Sequence, residues 1–333
     1  MNVMRSIKNK QRYILLLVVG FYFAQCSTPS DKNETADPKP AKAIDIAKIE
    51  EILGMKGTEK NGEYKVTVPQ NDLAVVVDSF KIIPPMGLGS WTAFTPTSEG
   101  TMIMGDIVVT ETDLKQVQGE VIRQGLTVTA IHNHFLRDKP HVMYMHIGGM
   151  GTDEKLAHAV KAVFEKVKEV RGKNPADGNK DEVQNTLDTQ ALDNLLGSKG
   201  EMSRGVFKHT IGRPDVDLKD HEASVSSFAG FNTWAAWQGT PERAAVAGDF
   251  AMLESEVAPV IKALVESGIE VVAVHNHMVH EQPRIIFLHY WGVGPVEKLS
   301  QGLKAALDQT GKEKAQNTTA SIFAQVTEVI CKN

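Results

Sequence analysis

Six of the chain's eleven histidines fall in two copies of one motif. His132-Asn133-His134 is followed by Pro140, His146 and Gly149, and His275-Asn276-His277 by Pro283, His289 and Gly292, both as H-N-H-x5-P-x5-H-x2-G. On a β-strand, residues spaced H-x-H point to one face. The third histidine joins them from an antiparallel neighbour when opposed residue numbers sum to an even value, for instance with His146 facing His132. An odd sum sends it to the other face. On the even register His132, His134 and His146, and likewise His275, His277 and His289, converge as a ligand set for a transition metal such as Zn or Cu. The competing reading makes them hydrogen-bonded core residues. In simple alternation Leu126, Val128 and Ala130 share the histidine face, so the strand is apolar on both sides.

Other residues offer weaker chemistry. Asp106, Asp249, Glu111 and Glu254 flank the start of a long helix and are auxiliary candidates, as carboxylate ligands or a general base. Turn and helix-start roles are the plainer reading. Met143, Met145 and Met150 would favour copper(I) as thioethers, but the even register turns Met143 and Met145 away from the histidines, so they read as core. Gly149-x-Gly151 and Gly292-x-Gly294 precede a helix as an anion cradle would, without the third glycine or the lysine of known phosphate loops. Trp91 and Trp234 read as core strand residues or as the wall of a pocket.

The elements that carry these residues repeat as well. One shift of 143 residues superimposes the histidines and also aligns Trp91 with Trp234, Gly105-Asp106 with Gly248-Asp249 and Glu154-Lys155-Leu156 with Glu297-Lys298-Leu299. The chain is an internal duplication, with a period too long and copies too few for a solenoid. In the second copy a short helix over 187–196, strands over 205–211, 234–237 and 244–253, and a helix over 254–266 precede the two histidine strands, 269–277 and 284–291. Pro295 opens a final helix to about Asp308. Consecutive strands joined by a short loop form an antiparallel hairpin. The expected fold is α+β: two tandem homologous domains, each a mainly antiparallel sheet packed with helices.

The 333 residues, 42% hydrophobic and 23% charged, suit two folded domains. A net charge of −5 with no basic stripe argues against nucleic acid as a partner. The first 25 residues carry Arg5, Lys8, Lys10 and Arg12, then an apolar run from Tyr13 to Ala24, then Cys26. This is the pattern of a lipoprotein signal peptide with Cys26 as the lipidation site, although Phe23 and Gln25 depart from the usual residues. Cleavage without lipidation and an uncleaved anchor are the alternatives. Cleavage removes four positive charges and leaves −9, so attachment to a membrane would come from the acyl chains. With Cys26 acylated and only Cys331 remaining, no internal disulfide forms and each domain stands on its core. The expected layout is a signal peptide over 1–25, a flexible tether over 26–42, repeat domain 1 over 43–170, a linker over 171–186 and repeat domain 2 over 187–333.

The H-N-H…P…H-x-x-G segment, the Gly-Asp pair ahead of an acidic helix start and the openings Leu53-Gly54-Met55-Lys56-Gly57 and Leu196-Gly197-Ser198-Lys199-Gly200 resemble the LppY/LpqO lipoprotein family. The resemblance covers residues 43–310. It implies an exported bacterial protein, membrane-anchored in the cell envelope and periplasm-facing or surface-exposed, and supplies no reaction. Three functions remain open at this point: a lipoprotein binding a transition metal through its histidines, a His-dependent hydrolase of phosphoesterase type, and a structural or partner-binding envelope protein with core histidines.

Overall fold

The computed structural model describes residues 41–178 and 180–311. The signal peptide, Cys26, most of the tether and Cys331 lie outside the described residues. The first copy runs α1 (Ile46–Leu53), β1 (Thr58–Lys60), β2 (Glu63–Pro69), β3 (Gly89–Pro96), β4 (Thr101–Thr110), α2 (Leu114–Arg123), β5 (Thr127–His132), β6 (Val142–Gly151) and α3 (Asp153–Arg171). The second runs α4 (Thr189–Leu196), β7 (Gly200–Ser203), β8 (Val206–Gly212), β9 (Asn232–Gly239), β10 (Ala244–Leu253), α5 (Glu254–Glu266), β11 (Glu270–His275), β12 (Ile285–Gly294) and α6 (Val296–Leu307). Local chemistry sets the opening helices. Asp45 and Asp188 accept the backbone N–H of Lys48 and Ala191, and Gly54 and Gly197 close the helices at φ 66° and 67°.

Each copy forms one six-stranded antiparallel sheet, in the order β1-β2-β3-β4-β6-β5 and, in the second copy, β7-β8-β9-β10-β12-β11. The α+β expectation, twice over, is what the structure has.

Alternation along β4 divides the core. Ile103, Ile107 and Val109 pack under the helices of their own copy, whereas Met102, Met104 and Val108 face the other sheet. In β10, Val246, Phe250 and Met252 take the helix side, and Ala245, Ala247 and Ala251 meet the first copy. The two sheets therefore pack face to face with helices outside. Each copy has a core under its own helices, and two further clusters draw on both copies. Each copy thus has its own core and also shares an interior with the other.

The histidine hairpins contain a feature that alternation does not predict. In the first copy Val128 opposes Ile147, but Ala130 opposes His146, so Thr129 is an extra residue in β5. In the second copy Val271 opposes Tyr290 and Ala273 opposes His289, with Val272 extra. Each bulge changes the register from odd to even partway along the strand. Leu126 and Val128 consequently pack on the helix side and do not share the histidine face. His146 opposes Ala130, not His132, yet it keeps the even register that puts all three imidazoles on one face.

Gly149 and Gly292 lie within strands, and a Cβ on either would come within 2.8 or 2.9 Å of a leucine methyl, of Leu126 or Leu299. Close packing, not an anion cradle, accounts for them. Met143 and Met145 pack in the helix-side core, as the even register requires.

Candidate metal centre

The six motif histidines meet in one place, between the sheets. His132 stacks on His275 with ring centroids 3.9 Å apart, His134 lies 3.8 Å from His289, and His146 lies 3.9 Å from His277. Exchanging each histidine for its counterpart 143 residues away maps these contacts onto themselves, so the copies meet about a pseudo-twofold axis. Two triplets have nitrogens within 4.8 Å of one another: His132, His146 and His275, and His132, His134 and His289. Both cross between the copies. A Zn–N bond is about 2.0–2.1 Å, so either triplet would have to draw its nitrogens inward to hold an ion.

The polar atoms of this cluster include ring nitrogens that could serve a ligand. His146 Nδ1 lies 3.2 Å from the Gly105 carbonyl, and His289 Nδ1 lies 3.1 Å from that of Gly248. A Nδ1–H donated there leaves Nε2 as a free lone pair, the usual way a protein sets the tautomer of a ligating histidine. Both Nε2 atoms are buried and unpartnered, as are both ring nitrogens of His132, His134, His275 and His277.

Asp106 and Asp249 belong to the same site. Each lies mid-strand directly opposite a histidine, Asp106 facing His146 and Asp249 facing His289. Asp106 oxygens lie 3.9 Å from His132 Nε2, 3.7 Å from His134 Nε2 and 3.9 Å from His146 Nδ1. Asp249 lies 3.5 Å from His277 Nε2. The turn and helix-start reading fails for these two because β4 and β10 continue to Thr110 and Leu253. It suits the other pair: Glu111 is exposed in the turn before α2, and Glu254 is exposed in the first turn of α5.

Burial keeps the centre uncharged. It pushes the Asp106 carboxyl up to about 8, against the pull of Lys65, and raises Asp249 well above the carboxylate range. Burial and, for His132, the neighbouring imidazoles hold it far below its ordinary value; burial lowers His146 to about 4. The imidazoles are thus neutral with lone pairs available, and an arriving cation would favour the ionised carboxylates.

Sequence reasoning missed Lys65 and its counterpart Lys208. Their ammonium groups lie over Trp91 and Trp234, at 3.9 and 4.1 Å from the ring centroids. Burial brings each lysine down to about 8. Trp234 is half-buried, its ring centroid 6.2 Å from those of His134 and His289, so it borders the site. Both lysines belong to the aligned 143-residue repeat, and that was the available signal. Asn276 and Thr129 tie the copies together: Asn276 Nδ2 donates to the Thr129 carbonyl at 3.1 Å, and Thr129 Oγ1 donates to the His277 carbonyl at 2.6 Å.

No curated protein matches the chain. Among solved structures, EtuB from Clostridium kluyveri shows 8% identity over 76% of this chain and 88% of its own, with a TM-score of 0.18. A trimeric bacterial microcompartment shell protein, PduB, shows 10% identity over 78% and 92%, with a TM-score of 0.19. Superposition that poor carries no structural argument. Residues 47–166 and 190–309 each match a domain of unknown function, and the chain belongs to that family, DUF1259, as a tandem pair.

Proposed function

We propose that the protein binds a transition-metal ion, Zn or Cu, at the histidine cluster between its two copies. The observation that carries this reading is the set of buried, unpartnered ring nitrogens. Leaving one buried polar group unsatisfied costs about 1–3 kcal/mol, and ten such nitrogens would consume the about 5–15 kcal/mol of a typical fold. A merely structural role for the six histidines does not meet that cost. Ordered water can satisfy part of it, whereas a metal ion satisfies three nitrogens at once and fits the cross-copy triplets.

Export and membrane attachment through a lipidated Cys26 complete the proposal, in keeping with the resemblance to LppY/LpqO lipoproteins. No helix among the described residues is long and apolar enough to cross a membrane. A second reading, a His-dependent hydrolase of phosphoesterase type, draws support from Lys65 and Lys208, whose charges would suit an anionic substrate beside a metal.

The test is metal stoichiometry after chelator stripping and reloading with Zn or Cu. His132 belongs to both triplets, so His132→Ala is expected to lose binding, while His158→Ala, exposed on α3, retains it. Equal retention by both variants, or no uptake by the wild type, overturns the metal reading. Turnover of a generic phosphodiester by the loaded wild type would establish the hydrolase.

A further inference from the structure

The two sides of the histidine cluster are built differently. A cavity of about 170 Å³ reaches His277 from the surface. Four methionines line it, Met102, Met104, Met150 and Met278, together with His221 and His280. The His221 and His280 rings lie 4.5 Å apart, and Asp220 lies against His221, Oδ1 to Nδ1 2.9 Å. Met150 and Val279 are exposed, so the cavity opens to solvent. Gly148 forms part of its wall, and a Cβ there would make only ordinary contacts, the nearest at 3.7 Å.

At the pseudo-equivalent place beside His134 the same space is filled. The counterpart of Gly148 is Trp291, that of Met278 is Phe135, and those of His221 and His280 are Asp78 and Arg137. Trp291 and Phe135 are buried and pack edge to face at 5.4 Å. Trp291 Nε1 donates to Asp78 at 2.9 Å, and Arg137 bridges Asp78 and Glu270 at 3.0 and 2.7 Å. Met102 and Met104 give way to Ala245 and Ala247. The approach is thus plugged on one side and open on the other, and the open side carries the methionines.

We propose that this cavity is the access port of the histidine cluster and holds a recruiting site for copper(I), built from the methionine thioethers with His221 and His280. Thioether is a soft donor and imidazole a borderline one that also takes copper; both are uncharged and together suit a monovalent soft ion, whereas Mg or Ca selects oxygen. The port role rests on the metal reading of the cluster; the recruiting site stands on its own donors.

The test uses the full chain under anaerobic conditions, with copper(I) supplied as its acetonitrile complex and competed by bicinchoninate. In His132→Ala/His275→Ala, which removes the ligand common to both triplets and a second ligand of one of them, at least one copper(I) ion is expected to stay bound, with sulfur in its X-ray absorption shell. Met102→Leu/Met150→Leu/Met278→Leu conserves volume and is expected to weaken that ion at least tenfold while zinc binding at the cluster is unchanged. Gly148→Trp copies the plug of the other side and is expected to slow copper(I) loading of the cluster at least tenfold without changing the final occupancy of the cluster itself; Gly148→Leu serves if the larger ring unfolds the protein. Absence of sulfur from the copper shell, or wild-type affinity in the leucine variant, overturns the recruiting site. Wild-type loading rates in the plugged variant overturn the port. A cluster that binds no zinc while sulfur-bound copper persists would defeat the metal reading of the cluster and leave the recruiting site in place.

Discussion

The two copies fill one hole in two ways. Beneath α3, Arg171 donates to Asp113 at 2.6 Å and to the Val108 carbonyl at 2.9 Å. In the second copy Arg213 donates to Glu256 at 2.7 Å and to the Ala251 carbonyl at 2.7 Å. Asp113 and Glu256 are counterparts, as are Val108 and Ala251, but the arginines are not: Arg213 takes the place of Gln70, which Arg171 itself touches. The fold needs a guanidinium at that point in space and accepts it from a strand end or a helix end. The histidines behave otherwise. All six come from matched positions, and both bulges and both opposing aspartates match with them. A structural need met by whichever residue reaches it differs from a constellation whose geometry depends on every member's position.

The largest expected effect tests that contrast. Arg171→Ala and Arg213→Ala each strand a buried carboxylate, and each is expected to cost about 3–5 kcal/mol, read from denaturant melts. Gln70→Arg in the Arg171→Ala background should recover part of the loss by importing the second copy's solution. No recovery would mean that the two holes are not equivalent. Because the interior is shared, either variant should shift one cooperative transition; separate transitions would show two independent folding units.

Next in size is the effect of metal. At a hundredfold excess over Kd, an ion bound to the folded state alone adds about 2.7 kcal/mol. His132→Ala should abolish the metal-induced rise in melting temperature because His132 serves both triplets. His134→Ala removes a ligand from one triplet only and should keep most of the rise if the ion rests on His132, His146 and His275. Loss in both variants would assign the ion to the triplet containing His134 and His289.

Much of this arrangement is legible in the sequence because it follows from repetition and strand alternation. The constant shift exposes the duplication, and H-x-H spacing puts His132 and His134 on one face. The third histidine is harder. The register at His146 turns on a single extra residue at Thr129, and a bulge leaves no periodic trace over so short a strand. Asp106 was obscured by its nearness to a helix start, although β4 runs four residues past it. The cross-copy triplets were beyond reach, since no local pattern says which faces of two sheets will meet.

The bulge allows a smaller test. Thr129 has Val272 as its counterpart, and only the threonine carries a hydroxyl, which it donates to the His277 carbonyl. Thr129→Val makes the first copy resemble the second at nearly constant size. The expected cost is about 1 kcal/mol, the net worth of a hydrogen bond. A loss of metal affinity well beyond that stability change would show that the bond also positions His277.

The smallest effect concerns the plug. Arg137, by hydrogen bonding, and then the Trp291 N–H hold the Asp78 carboxyl below its ordinary value, against an opposing push from burial. A carboxyl with a depressed folded pKa stabilises fully above its unfolded value, about 3.9, and loses that contribution as pH falls through the folded value. Asp78→Asn should therefore melt below the wild type at neutral pH, and the gap should close as the pH falls below the unfolded value and through the lower folded one. The pair is partly exposed and screened, so the gap should also narrow with added salt. A gap that persists unchanged into acid would mean that the amide fails to accept the Trp291 N–H. Packing and hydrogen-bond geometry, not charge, would then be what closes this side of the cluster.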